Sequence, residues 1–333
     1  MLNLEILAPR IMRAALVAAV LLATLASSGG FAVAQPAYPE RSIRIVTINA
    51  PGGSADIIAR LIGDKLSASL GKPVVVEGMP GAGGSLAAGY VAKAAPDGYT
   101  LLMSGDAALV TNISLYEKLS YDPVKDLAPI SQVVATPNVL VVPSDLPVKT
   151  VGELVALGRS KPGTFTFAHG GLGFSTHLSG EMLKTMAQID MQQVMFRQSV
   201  FPDLIAGRVT MCFCNISQAL PLARENKLRA LAVTSPKRSP AAPELPTMDE
   251  SGFAGFDVTS WFALMAPAET PQPIVDKLHG EVVRILAMPD IRQKMSDLGM
   301  EIVGNSPAEL AALIQRQTPQ RATLIKASGA KMQ

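Results

Sequence analysis

Short apolar runs alternate with longer stretches of helical periodicity along the 333 residues of this chain. In its first part the pattern predicts strands at Ser42 to Ile48, Val74 to Glu77 and Thr100 to Met103, with helices over Ser54 to Leu70 and Ser85 to Ala94. Strands joined by single helices are typical of a parallel sheet with crossover connections. The pattern therefore predicts an α/β fold.

The same rhythm continues and predicts a second group of elements. Further strands are expected at Leu127 to Val134, Val139 to Val142, Thr164 to Ala168, Gln193 to Phe196, Val209 to Cys214, Ala230 to Val233 and Trp261 to Ala266. Further helical segments are expected at Val151 to Arg159, Leu178 to Ala187, Pro271 to Ala287, Asp290 to Leu298 and Pro307 to Gln317. We expect the Trp261 strand to return to the first group. This predicts one lobe of residues 35–138 and 260–333, and a second lobe of residues 139–259.

The N-terminal segment has the pattern of a secretory signal. A basic start precedes an apolar run from Ala14 to Ala26, which is too short to span a bilayer of about 30 Å. Small residues within Phe31 to Ala34 then suit a cleavage site. We therefore expect residues 1–34 to be removed and the mature protein, from Gln35 onward, to lie in the periplasm.

Charge and cysteine content narrow the class of protein. The 29 lysines and arginines nearly balance the 27 aspartates and glutamates, and no basic cluster stands out, so no nucleic-acid partner is expected. The two cysteines, Cys212 and Cys214, lie two apart on a predicted strand. A disulfide at that spacing is expected to be strained, so the sequence favours two small buried thiols, although export leaves oxidation open. Neither a metal nor a cofactor is expected.

Two glycine-rich turns carry the candidate chemistry. The first turn, Ala50 to Asp56, and the second turn, His169 to His177, each join a predicted strand to a predicted helix. Such turns direct unpaired backbone N–H groups and a helix N-terminus at the same point, which suits an anion. In open α/β sheets that point lies in a crevice at the carboxyl ends of the strands. The two turns therefore predict a carboxylate-bearing ligand held between the lobes.

Each turn supplies candidate ligand contacts with a structural alternative. The candidates around the first turn are Asn49, Ala50, Gly52, Gly53, Ser54 and Asp56. Those of the second turn are His169, Gly171, Gly173, Ser175 and Thr176. The glycines alternatively serve only the backbone geometry, Asp56 stabilises the first helical turn, and Ser175 or Thr176 caps its helix. For His177 we favour a structural anchor.

Two charged residues outside these turns bear on the kind of ligand. Asp106, at the end of a predicted strand, would repel an acid but pair with an amine or a ring N–H. Its alternative is a turn residue bonded to its own backbone. Arg197 either neutralises a second carboxylate or pairs with an acid on the surface.

An ordered set of motifs spans the chain after the signal. It comprises Ala50-Pro51-Gly52-Gly53-Ser54, Pro80-Gly81-Ala82-Gly83-Gly84, Ala95-Pro96-Asp97-Gly98-Tyr99, Ser175-Thr176-His177-Leu178, Leu228-Arg229-Ala230-Leu231 and Ser260-Trp261-Phe262. With this set the chain resembles the extracytoplasmic solute receptors of the tripartite tricarboxylate transporter family, the Bug receptors. The resemblance implies a two-lobed, type II-like periplasmic-binding-protein fold with parallel-rich sheets. It also implies small carboxylates held by backbone N–H groups and water, and delivery to membrane subunits of the transporter.

The chain departs from this family at several expected cleft positions. Asn49 replaces a usual phenylalanine, Asp106 stands in a loop that usually holds glycine, serine and threonine, and Asn215 follows Cys214 where an Asp-Asn pair is usual. Together with Arg197, these departures favour an amphoteric acid, such as an amino acid or a pyridine carboxylate, over a simple dicarboxylate.

The function that we predict is a monomeric receptor that closes on its ligand as two lobes around a hinge. An alternative is a sensor that docks on a membrane signalling protein, since both roles use the same cleft. Catalysis is disfavoured because the three histidines, at positions 169, 177 and 279, show neither a nucleophile-elbow nor an HExxH pattern.

Overall fold

The computed structural model describes residues 38–196 and 199–332. Its strands are β1 (Ile43–Thr47), β2 (Val74–Gly78), β3 (Thr100–Gly105), β4 (Leu127–Thr136), β5 (Asn138–Pro143), β6 (Phe165–His169), β7 (Met191–Met195), β8 (Met211–Asn215), β9 (Leu228–Val233), β10 (Ser260–Pro267) and β11 (Glu301–Ile302). The predicted signal segment and Arg197 lie outside the described residues.

Helices connect most of these strands. They are α1 (Ser54–Leu70), α2 (Ser85–Ala92), α3 (Asn112–Leu115), α4 (Val151–Ser160), α5 (Ser175–Ala187), α6 (Phe201–Ile205), α7 (Ile216–Arg224), α8 (Gln272–Leu286), α9 (Pro289–Asp297) and α10 (Pro307–Ser328). A 3-10 turn covers Ala82–Gly84 and a π-helical turn covers Ala107–Thr111. Within the described ranges, no helix combines the length and the apolar character needed to cross a membrane.

The strands form two mixed sheets. The first sheet has six strands in the order β11-β4-β10-β3-β1-β2, and the second has five in the order β7-β6-β8-β5-β9. The β1 strand pairs in parallel with β2 and β3, and β6 pairs in parallel with β7 and β8, as strand–helix alternation predicts. The remaining pairs are antiparallel. The predicted fold class is confirmed, with more antiparallel pairing than expected.

The chain passes between the two sheets at two places that matter for the site. The β4 strand ends at Thr136 in the first sheet, and after Pro137 the β5 strand begins at Asn138 in the second. The chain returns to the first sheet between β9 and β10. There β10 pairs antiparallel with both β3 and β4. The predicted lobe bounds stay a prediction, but both crossings bring polar residues to the space between the sheets.

The C-terminal helix α10 packs on both halves of the molecule. Its early residues Leu310 and Ile314 belong to the apolar core of the first sheet, whereas Ile325 belongs to the core of the second. The sequence predicted an end at Gln317, before Pro319, because proline lacks a backbone N–H and disfavours a helix interior. The helix instead continues to Ser328, with Ile325 buried beyond the proline. Burial of the segment after Pro319 therefore outweighs the tendency of proline to end a helix.

The cysteines correct the sequence prediction. Cys212 and Cys214 are buried on β8, as expected, but they form a disulfide and are not free thiols. Residues two apart on a strand point to the same side. Their Cα atoms lie 5.4 Å apart, which is inside the range that a disulfide bridges.

Candidate functional site

A cavity of about 440 Å³ lies where the two sheets face each other. It is lined by Ile48, Asn49, Gly53, Ser54, Gly105, Asp106, Ala107, Thr136, Asn138, Phe174, Ser175, Thr176, Asn215, Ser260 and Phe262. These residues come from the carboxyl ends of β1, β3 and β8, the starts of α1 and α5, and the crossings between the sheets. The cavity therefore brings both glycine turns to one place.

The first turn is held by hydrogen bonds between residues of the same short segment. Asn49 Oδ1 accepts from the backbone N–H of Ala55 at 2.9 Å, and Gly53 N–H donates to the Ala50 carbonyl at 3.0 Å. Helix α1 then begins at Ser54 without a side-chain cap on Gly53. Asn49 thus takes the N–H of Ala55, while Ser54, the first residue of α1, lines the cavity, so the helix N-terminus lies at the cavity wall.

Asp56 stabilises the first turn from outside the cavity lining. Its buried carboxylate accepts from Gly52 N–H at 2.9 Å and from two guanidinium nitrogens of Arg60, each at 2.9 Å. The hydrogen bond from Arg60 is the largest influence that lowers the pKa of Asp56. Asp56, Gly52 and Ala50 do not line the cavity. For Asp56 the contacts match its structural alternative.

The second turn places two hydroxyl residues at the cavity. Ser175 and Thr176 are the first residues of α5, and Phe174 before them provides no side-chain cap. The predicted capping by Ser175 or Thr176 is therefore not observed. Thr176 Oγ1 instead accepts from Gly170 N–H at 3.4 Å. As with α1, the first residues of α5 line the cavity, so the N-terminus of this helix lies at the cavity wall.

Two histidines form the interior of the second turn. The His169 and His177 rings lie 4.7 Å apart, and His177 Nδ1 accepts from Gly173 N–H at 3.3 Å. Burial, with a smaller contribution from His169, lowers the pKa of His177 to about 4. Burial also lowers the pKa of His169. The His177 ring is therefore neutral at pH 7, and its hydrogen bond with Gly173 fits the structural role that the sequence favours for it.

Gly173 brings the second turn against the first sheet's helix α3. Its φ is +78°, and a Cβ placed on it would lie 2.6 Å from Leu115 Cδ2. With Gly171 it lines a separate cavity of about 310 Å³. These two glycines shape the turn and do not line the 440 Å³ cavity.

Asp106 brings a carboxyl group into the cavity. It is only 4% exposed, and its Oδ1 accepts from Ser260 Oγ at 3.0 Å. Burial raises the pKa of Asp106, and attraction from the buried Arg321 opposes that shift. Two like charges about 6 Å apart cost about 3 kcal/mol at an effective dielectric constant of about 20. An ionised Asp106 therefore disfavours a second carboxylate close to it.

Comparison with known proteins decides the family. The profile described as "Tripartite tricarboxylate transporter family receptor" matches residues 58–330. The protein BugT of Bordetella pertussis is 35% identical over 303 residues, covering 90% of this chain and 93% of BugT. The chain belongs to this receptor family. It is a solute-binding receptor of the Bug type.

Two solved structures support the receptor fold. An adipate-bound protein of R. palustris has a TM-score of 0.75 and 33% identity, over 89% of this receptor and 100% of that chain. MatC of Rhodopseudomonas palustris, with bound malate, has a TM-score of 0.71 and 34% identity, over 86% of this receptor and 100% of that chain. The predicted two-lobed periplasmic-binding-protein fold is confirmed.

The receptor's cavity contains polar residues that sequence reasoning did not select. Thr136 and Asn138, 2% and 1% exposed, line it, and neither Thr136 Oγ1 nor Asn138 Nδ2 makes a hydrogen bond. Buried polar atoms usually have partners, so these two are suited to a ligand. Ser260 is a further polar lining residue that sequence reasoning did not select. The available signal was the polar break around Pro137 between two apolar runs.

The two remaining candidates lie at a second cavity of the receptor. Asn215 caps α7, since its Oδ1 accepts from Ser217 N–H at 3.1 Å, and it lines both the 440 Å³ cavity and a neighbouring one of about 380 Å³. His169 and the Cys212–Cys214 disulfide line only the latter. Across residues 38–196 and 199–332, no cluster of three or more histidine, cysteine or acidic side chains is placed to hold a metal.

Proposed function

We propose that this receptor binds a small carboxylate in the 440 Å³ cavity, with the N-terminal N–H groups of α1 and α5 as its main donors. The observation that carries the proposal is that Ser54 and Ser175, the first residues of these helices, line the same cavity. A helix N-terminus carries a partial positive charge, and two of them on one cavity favour an anion. The bound adipate and malate of the two solved relatives support this class of ligand.

Thr136 Oγ1 and Asn138 Nδ2, which make no hydrogen bond, extend the site to the crossing between the sheets. A ligand that joins α1, α5 and this crossing contacts both predicted lobes. Such a ligand binds best when the lobes are close together, so it shifts the population toward a closed form by a hinge motion. In the periplasm the closed receptor then delivers its ligand, as a monomer, to the membrane subunits of a tripartite transporter.

Binding without turnover is part of the proposal. His177 is buried at the second turn and His169 lines the neighbouring cavity. Neither histidine lines the 440 Å³ cavity beside Ser54 or Ser175. A serine nucleophile requires a base within hydrogen-bond reach, and the described lining residues of this cavity include no histidine or lysine.

A pair of proline variants tests the donors directly. Proline is well tolerated at the first position of a helix and removes only the backbone N–H there. Gly53 and Phe174 already have the extended conformation that proline favours in the residue before it. We expect Ser54→Pro and Ser175→Pro each to weaken carboxylate binding about tenfold to a hundredfold, since a charge-assisted hydrogen bond is lost.

The measurement is a thermal-shift titration of the protein from Gln35 onward with dicarboxylates, tricarboxylates, amino acids and pyridine carboxylates. A ligand at a hundredfold excess over its Kd stabilises the folded state by about 2.7 kcal/mol. Ser54→Ala and Ser175→Ala keep the backbone N–H and serve as matched controls. Equal binding by the proline and alanine variants would contradict the role of these donors.

A further inference from the structure

The cavity pairs a site for an anion with a buried acid of its own. Among its described lining residues, Asp106 is the one that carries an ionisable side chain. Nothing cationic in that lining neutralises it. A ligand that carries only negative charge would therefore satisfy the two helix N-termini and leave Asp106 opposed to it.

The partners of Asp106 are suited to an ionised carboxylate. Ser260 donates its hydroxyl to Asp106 Oδ1 at 3.0 Å, and the backbone of Trp261 also donates a hydrogen bond to the carboxyl group. Donors of this kind favour the charged form of an acid.

A buried cation on α10 acts on the same group. Arg321 is 2% exposed, attracts Asp106, and leaves its Nε and Nη2 without hydrogen bonds. Asp257 is the other acid that acts on Arg321. Arg321 therefore favours the ionised form of Asp106 from outside the cavity lining.

We propose that Asp106 selects an acid that also carries a protonated nitrogen, with the ligand's ammonium group donating to the Asp106 carboxylate while its own carboxylate binds the helix N-termini. This inference rests on the proposed function, because it adds a second contact to the same ligand. It assigns the positive end of an amphoteric ligand to the β3 side of the cavity. It also assigns Ser260 as a positioning residue that holds Asp106 toward the ligand.

The proposed contact makes ligand binding depend on pH. Burial raises the pKa of Asp106, and the proposed contact needs its ionised form. An ammonium group next to it favours the ionised form. The affinity for an amphoteric acid is therefore expected to fall as the pH is lowered into the range in which Asp106 binds a proton.

The test is calorimetry with acids that differ only in the amino group: aspartate against succinate, and glutamate against glutarate. We expect the wild-type protein to prefer an amino acid over its matched acid by at least tenfold. Asp106→Asn, which keeps the shape and removes the charge, is expected to lose that preference and to bind succinate or glutarate at least as well as the wild type. Retained binding of these acids shows that the variant is folded.

A second measurement needs no variant. Repeating the titrations over a range of pH tests the contact, and we expect the preference for the amino acid over its matched acid to fall as the pH is lowered. An unchanged preference in Asp106→Asn would overturn the inference and leave the carboxylate receptor standing. Binding of the matched acids with no response to Ser54→Pro or Ser175→Pro would overturn the proposed function itself.

Discussion

The first and second turns bring the same group, a helix N-terminus, to the same cavity, but they are supported in different ways. Around the first turn, Asn49 and Asp56 accept hydrogen bonds from backbone N–H groups of the same segment. In the second turn, His177 fills the interior and Gly173 lies against Leu115 of α3. One turn depends on local polar bonds, whereas the other depends on packing.

This difference indicates which substitutions and conditions each turn is sensitive to. The support of the first turn lies within a few residues of it, so its shape is expected to be independent of the rest of the molecule. Leu115 lies on α3, far from the turn in the sequence, so the second turn is positioned partly by packing against a distant segment. Substitution, acid and backbone strain are therefore expected to affect the turns unequally.

The largest expected effect is that of Gly173→Ala. The new methyl group would meet Leu115, and alanine would have to adopt a φ of +78°. The backbone cost and the overpacking together are expected to remove about 3 kcal/mol of stability, and to weaken ligand binding as well. Urea unfolding measures the loss. Gly207→Ala is the matched control, because its φ is +67° with nothing within 4 Å. Equal losses in both would show that the contact with Leu115 contributes nothing.

Acid is expected to weaken the second turn first. The pKa of His177 is lowered from 6.5 to about 4, so the unfolded chain binds the proton more readily than the folded one. The contribution of this group is complete above pH 6.5 and is lost as the pH falls toward 4, by at most about 3 kcal/mol. Urea unfolding between pH 7 and pH 4 measures the slope, which His177→Gln should flatten. The same slope in both proteins would refute this assignment.

Asp56→Ala is the corresponding test of the first turn. Losing the bonds from Gly52 and Arg60 is expected to cost about 2 kcal/mol at neutral pH. Because the pKa of Asp56 is lowered below 3.8, its contribution is present above that pH and is lost only as the pH falls further. The difference in unfolding free energy from the wild type should therefore stay constant between pH 7 and pH 5. Arg60→Ala, which keeps the bond to Gly52, should have a smaller effect.

The smallest effect is expected for Gly52→Ala. Its φ is +85°, as unfavourable as that of Gly173, but nothing lies within 4 Å of the added methyl group. Only the backbone cost of about 1 kcal/mol remains. Urea unfolding of Gly52→Ala beside Gly173→Ala isolates the contact with Leu115. A loss as large as that of Gly173→Ala would mean that the two turns do not differ in this respect.

The parts of the fold that depend on local pattern were predictable from the sequence. Strand–helix alternation predicted the parallel pairs around β1, and the glycines before Ser54 predicted a helix start at a cavity. The continuation of α10 past Pro319 was not predictable in this way. It depends on burial against the second sheet, which proline's local preference does not reveal.

The site was predictable only where one segment carries its own signal. Thr136 and Asn138 have the sequence pattern of a break between strands, and their significance comes from the crossing between two sheets. Asp106 was recognisable as an acid at a strand end, but Ser260, its partner, lies 154 residues away. The disulfide was missed because the expected strain on a strand outweighed the shared direction of the two side chains.

The position of the chain's single tryptophan has a consequence for optical work on the ligand. Trp261 is buried and its indole Nε1 donates to Gln317 Oε1 on α10 at 2.8 Å, while its neighbours Ser260 and Phe262 line the cavity. Its ring lies on the side of β10 away from that cavity, since successive side chains of a strand alternate. Excitation at wavelengths that tyrosine does not absorb therefore reports on one fluorophore, whose residue does not line the cavity. A change in its emission during a titration reports, without a dye, either movement of β10 against α10 or a change of charge at Asp106, which is hydrogen-bonded to the Trp261 backbone.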